Sequence, residues 1–269
     1  MLKKLLKYEW KTASKMLLLM HGIVLLMALF DRITLQLSGG MGESGSYILD
    51  TVNALLMFAM VMVIGSVCLF TYVYLAYRFY KNVFTDQGYL TNTLPVTPTQ
   101  IILSKGICSI VWMVIDALVL ILAICILAGH KEFFADLGDI LGELMKAFAT
   151  PDPTAWITLI ILILAPFLTT IQLYFCVAVG NLCKVHKVLG SIGVYIATYI
   201  IQQITGLIIL VATNFDPVTS TVTTESGLHV ALSDMMFGPM LLSLIFSVVC
   251  AVLFWFATRS IMTKRLNLQ

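Results

Sequence analysis

A chain of 269 residues that is 60% hydrophobic and only 11% charged, with a net charge of +2 and a mean hydropathy of +0.99, is not a soluble globular protein. No water-soluble core of that size hides so much apolar surface. Composition leaves a polytopic membrane protein.

Residues 2–16, LKKLLKYEWKTASKM, predict a basic amphipathic helix lying in the membrane interface over 1–15. At helical periodicity the five lysines share one arc and Leu2, Leu5, Leu6, Ala13 and Met16 share the opposite one. Glu9 breaks the apolar arc. A carboxylate there needs a protein partner, and Arg78 and Lys81, at the inner end of the second span, are the candidates. An apolar run at 16–37 follows. It is read as a span and not a cleaved signal, because it follows a lysine-rich helix and lacks a small-residue cleavage site. Further runs at 53–77, 101–128, 155–180, 188–213 and 237–258 each exceed the roughly 20 residues a helix needs to cross a bilayer. They are too long and continuous for barrel strands. The expected fold is therefore all-α, with six transmembrane helices in a single domain.

All but Arg32, Lys131 and Lys146 of the sixteen Lys and Arg fall on one side if the N-terminus is cytoplasmic. The positive-inside rule then puts both termini in the cytoplasm, and with them the polar stretch FTDQGYLTNTLPVTPTQ at 84–100. Within it TPTQ, 97–100, reads as a capping box with Pro98 at the first helical position. Thr85 or Asp86 is placed to cap a short helix over 84–94, ended by Pro95. Asp86, Gln87, Gly88, Tyr89 and Leu90 would present a close-approach glycine with an aromatic and an aliphatic knob, which is a docking surface.

Asp116 is the one clear ionisable residue deep in a span. It costs about 2.5 to 3.5 kcal/mol there unless it faces a cavity, a partner or the bundle interior. It reads as a path or gating residue, or as one end of an interhelical hydrogen bond to Gln172, Gln202 or Gln203. Gln202, Gln203 and Thr198 give the fifth span a polar stripe suited to a path or a dimer seam. Gly180, Gly190, Gly193 and Gly206 are expected to serve helix packing, and Pro166 to kink the fourth span. Residues 131–148 form a second amphipathic helix, on the outer side, and the threonine-rich 214–236 is expected as a loop or strand-like excursion as readily as helix. The six cysteines form no CxxC pair and read as buried structural thiols. The four histidines are scattered, and His21 reads as a packed interfacial residue. Neither a metal site nor a catalytic motif is expected.

FYKNVFTDQGYLTNTLPVTPTQIILSK resembles the cytoplasmic loop between the second and third spans of bacterial ABC type-2 transporter permeases, particularly those of Firmicutes. The opening MLKKLLKYEWK, including Glu9, is similar to their N-terminal interfacial helix, and TRSIMTKRLNLQ to their basic tail. The resemblance implies a permease-like fold in the bacterial plasma membrane, with 84–94 as the coupling helix seated in an ATPase subunit. Gln87 stands where that family commonly has a glutamate. The implied partners are one or more ABC ATPase subunits, a second permease subunit (identical or related) and membrane lipids, with no nucleic acid. The chain has no G-x-x-x-x-G-K-[ST] loop, so ATP and Mg are expected on the partner chain and no cofactor on this one. Export of a peptide, lipid or drug-like substrate is the leading expectation. The alternatives are an ion-gradient transporter with Asp116 as its proton site and a non-transporting membrane partner of an ATPase.

Overall fold

The computed structural model describes residues 2–39, 46–85, 87–88, 96–129, 131–149, 153–183, 186–213 and 225–264. Among them are seven helices and no strand: α1 (Leu2–Leu37), α2 (Tyr47–Phe84), α3 (Pro98–Ala128), α4 (Lys131–Ala149), α5 (Pro153–Gly180), α6 (Lys187–Ala212) and α7 (Glu225–Lys264). Six are long and apolar enough to cross a membrane, α4 being the exception. Proline opens both α3 and α5, where its missing N–H costs nothing because no helical acceptor precedes it.

One element differs from the sequence expectation. The basic segment is not a separate helix. It forms the first turns of α1, which runs unbroken over 36 residues, about 54 Å at 1.5 Å per residue. No Gly or Pro interrupts it near residue 16. The hydroxyls that might have capped a new helix are used inside this one: Thr12 donates to Tyr8 O at 2.8 Å and Ser14 to Lys11 O at 3.1 Å. Before the last span, helix is the one of the expected alternatives that the described residues take. The threonine-rich stretch 214–224 is outside the described residues, but from Glu225 onward the chain is helical, with Pro239 inside α7.

The chain divides into two compact units. The first comprises Met1–Arg78 and Gln100–Ile140, the second Phe79–Thr99 and Leu141–Gln269. In the first, α1 and α3 run parallel and keep one register along their length. Glu9 meets Lys105, His21 meets Asp116, and Arg32 reaches the end of α3, each a separation near 96 residues. Val24 and Ala28 of α1, Met60 and Val67 of α2 and Ala123 of α3 form an apolar core. Arg32 donates to Leu127 O at 3.2 Å and Gly129 O at 2.8 Å. It thereby closes the carbonyls left open at the C-terminus of α3, which accounts for an arginine outside the basic face. Beside it Asp31 is 1% exposed, and both its carboxylate oxygens lack a hydrogen-bond partner among the described residues.

In the second unit α5 packs along both α6 and α7, which touch each other sparingly. Two of the four glycines expected at helix contacts are there. A Cβ on Gly180 would strike Ser191, and one on Gly190 would strike Cys183 and the Gly180 carbonyl, so the α5–α6 turn closes only because both are glycine. Gly193 and Gly206 have open space where a Cβ would stand and do not mediate packing within this unit. All six cysteines are free; Cys108 and Cys176 are buried, but Cys183 is exposed.

Candidate functional site

Three arrangements bring polar chemistry together. The first is the polar turn after α2. Phe84 ends the helix, Gly88 N donates to Thr85 O at 2.6 Å, closing a tight turn, and Gln87 and Gly88 are helical, as the expected short helix requires of them. The Thr85 hydroxyl donates back to Lys81 O at 2.5 Å, so its proton serves the end of α2. Gln87 is exposed and Gly88 buried. Asp86, Tyr89 and Leu90 lie outside the described residues, as does most of the expected helix over 84–94. Phe79, Val83 and Phe84 are at most 1% exposed. Phe79 stacks on Tyr174 of α5, ring centroids 4.0 Å apart, and meets Phe84 edge-on at 5.9 Å. The turn therefore stands on a packed aromatic block, not on a free linker.

The second is an ionic cluster in the first unit, near the N-terminal ends of α1 and α3 and the C-terminal end of α2. Glu9 Oε2 accepts from Arg78 Nη2 at 2.7 Å and Glu9 Oε1 from Lys105 Nζ. Arg78 also sits over the Tyr74 ring at 5.9 Å. Arg78 stands where the sequence placed a partner for Glu9; Lys105 is a second cation the sequence reading missed, and Lys81 is exposed. The cluster is largely shielded from water, with side-chain exposures of 16% for Glu9, 11% for Arg78 and 6% for Lys105. Two cations against one carboxylate leave a net positive charge. Trp10 covers the cluster's side of α1 by stacking on the fully buried Trp112 at 4.9 Å.

The third lies on the other side of Trp112, whose ring centroid is 5.8 Å from that of His21. His21, 4% exposed, holds Leu17 O through Nδ1 at 2.6 Å and Asp116 Oδ1 through Nε2 at 2.5 Å. Thr71 Oγ1 lies 3.1 Å from both Asp116 Oδ1 and Val67 O. A carbonyl can only accept, so Nδ1 carries hydrogen. The contact between Nε2 and Oδ1 then needs one more proton, on the nitrogen or on the oxygen. In either form the pair binds one proton and has no net charge. A void of about 10 Å3 bounded by His21, Asp116 and Cys68 adjoins it, room for a single water at most.

These contacts correct two expectations. Asp116 finds its hydrogen-bond partners, His21 and Thr71, within its own unit where the sequence pointed to Gln172, Gln202 or Gln203, and His21 is a buried partner, not an interfacial filler. The signal was available, because the other charged residues in the six runs, Asp31, Arg32 and Lys105, all lie nearer a span end. It was masked by treating residues 1–15 as a separate helix, which puts His21 only five residues into the membrane and Asp116 fifteen. Counted from the true helix starts at Leu2 and Pro98, the two are level.

The glutamines form their own group in the second unit. Gln172 Nε2 lies 3.3 Å from Gln202 Oε1 and 3.2 Å from Thr198 Oγ1, and Gln202 Nε2 lies 3.4 Å from Gln172 Oε1. Gln203 is exposed and does not join them. Among the described residues no group of His, Cys, Asp and Glu is arranged to hold a metal ion. No family model, curated protein or solved structure matches the chain.

Proposed function

We propose that this chain is the membrane-spanning subunit of an ATP-driven exporter of the ABC type-2 permease kind. In this reading the turn after α2 docks a separate ATPase in the cytoplasm, and two such membrane subunits pair. The observation that carries it is the mounting of that turn. A docking element transmits force only if it cannot swivel, and here Phe79, Val83 and Phe84 before it are shut off from solvent, with Phe79 stacked on Tyr174. Displacement of 85–88 by a motor protein would move the end of α2 and α5 together. The resemblance of the 78–105 stretch to permease coupling loops supplies the partner, and the absence of a phosphate-binding loop in this sequence puts ATP hydrolysis on that partner. A motor shifts the equilibrium between two arrangements of the spans only through contacts that differ between them.

Tyr89→Ala and Gly88→Trp test the docking. Each should strip the ATPase from the purified complex, or leave ATP hydrolysis running without transport, while the membrane subunit still expresses and elutes as a single species. A folded variant that keeps both the ATPase and its coupling counts against the reading.

A second reading is favoured by one observation, the His21–Asp116 pair. A proton held between two buried groups at matching height is what a proton-coupled transporter needs. It predicts transport without any ATPase and its loss on Asp116→Asn.

A further inference from the structure

The spans of the second unit differ chemically from those of the first. Residues 153–183, 188–213 and 236–258 contain no Asp, Glu, Lys, Arg or His. Between these helices lies a cavity of about 260 Å3. Gln172 of α5 forms its floor, Gln202 and Gly206 of α6 one wall, and Ser243, Ser247 and Cys250 of α7 the other. It exists because α6 and α7 diverge over α5.

The lining has hydrogen-bonding capacity left over. Gln202 donates through one N–H of its two. Ser247 gives its proton to Ser243 O at 2.8 Å and keeps its lone pairs, and the Ser243 hydroxyl has no partner among the described residues. Spare donors and spare acceptors therefore face one space at membrane depth, where a polar group without a partner costs several kcal/mol. An alkyl chain cannot satisfy them. An ion would enter a space with no counter-charge.

We propose that this cavity binds a small uncharged molecule with an apolar body and one amide or hydroxyl group. Its volume lies just below the roughly 300 Å3 at which drug-sized sites begin. The carboxamides of Gln172 and Gln202 and the two serines read the polar group; Phe246 and Phe254, also in the lining, cover the apolar body. The claim rests on the exporter reading only in calling this molecule a cargo.

The test uses the full chain in lipid vesicles with Cys250 as its sole cysteine, alkylated by N-ethylmaleimide. Benzamide is the hydrogen-bonding probe and ethylbenzene, at equal membrane concentration, its apolar counterpart. Benzamide should slow alkylation about tenfold or more at a concentration where ethylbenzene slows it less than about twofold, since a site built to hydrogen-bond a group rejects the analogue that lacks it. Gly206→Leu fills the cavity without a clash at Cβ and should abolish alkylation. Gly193→Leu, equally open and on the same helix but outside the cavity, should leave rate and protection unchanged. Equal protection by the two probes means an apolar crevice and overturns the proposal. So does undiminished alkylation in Gly206→Leu, or a Cys250 that never reacts because a lipid or a second copy fills the space. Because none of these readouts involves an ATPase, failure here is distinct from failure of the docking test.

Discussion

Replacing Glu9 by alanine should destabilise the first unit by about 3–5 kcal/mol, the range for leaving a buried ion pair with one member missing. Arg78 and Lys105 would then face each other without a carboxylate between them, both nearly shut off from water. Arg78 Nη1 already lacks a partner among the described residues, so the guanidinium has no second bond to fall back on. Thermal unfolding of the protein in lipid nanodiscs reads the loss as a lower midpoint. Glu9→Gln keeps two hydrogen-bonding atoms but removes the charge, and should fall between wild type and alanine. Replacing all three residues with apolar ones of similar volume should recover most of the stability, because a buried ionic cluster is seldom worth more than good packing. If that triple variant is folded yet inactive, the cluster serves function as well as fold. If Glu9→Ala unfolds at the wild-type midpoint, α1 is not held to α2 and α3 by these charges.

Asp116 should separate the two readings of function. Asparagine fits the site in one protonation state. Its Nδ2, in the place of Oδ1, can donate one hydrogen to the bare Nε2 of a neutral His21 whose Nδ1–H stays on Leu17 O and the other to Thr71 Oγ1, whose own proton then goes to Val67 O. Asp116→Asn should therefore keep the helices together without the proton that the native pair binds. Asp116→Leu leaves Nε2 and the Thr71 hydroxyl with fewer partners and should cost about 1–3 kcal/mol, the penalty of an unsatisfied buried group. An ATP-driven exporter predicts that Asp116→Asn still transports in the presence of its ATPase. A proton-coupled transporter predicts a folded protein that has stopped. Isotope-edited infrared spectra of the aspartate carbonyl, compared between wild type and Asp116→Asn, report whether the shared proton sits on the oxygen.

The number of helices long and apolar enough to span was legible because length and hydropathy alone select helices in a bilayer. A carboxylate in the apolar arc of a basic helix announced that Glu9 needed a cation. Register was harder. Nothing in a lysine pattern says whether an amphipathic segment bends into the interface or continues into the membrane. Only the hydroxyls of Thr12 and Ser14, turned back into α1, show that it continues. With that boundary misplaced, His21 and Asp116 sit at different heights and their pairing is invisible. The cavity was hidden for a different reason. Gln172 and Gln202 read as a polar stripe, but the space between α6 and α7 follows from how both lie on α5, a three-helix property with no local signature. Two of the packing glycines were misjudged on the same ground, since small-residue spacing does not reveal which helix face has a neighbour.

A motor protein seated on the turn after α2, as proposed, would lie within reach of Gln87. A photoreactive benzoylphenylalanine at Gln87, an exposed position on that turn, tests it most directly when the full chain is irradiated in its native membrane. One dominant adduct with a separate cytoplasmic polypeptide that binds ATP is expected. An adduct formed only with lipid or with extracytoplasmic proteins would contradict it.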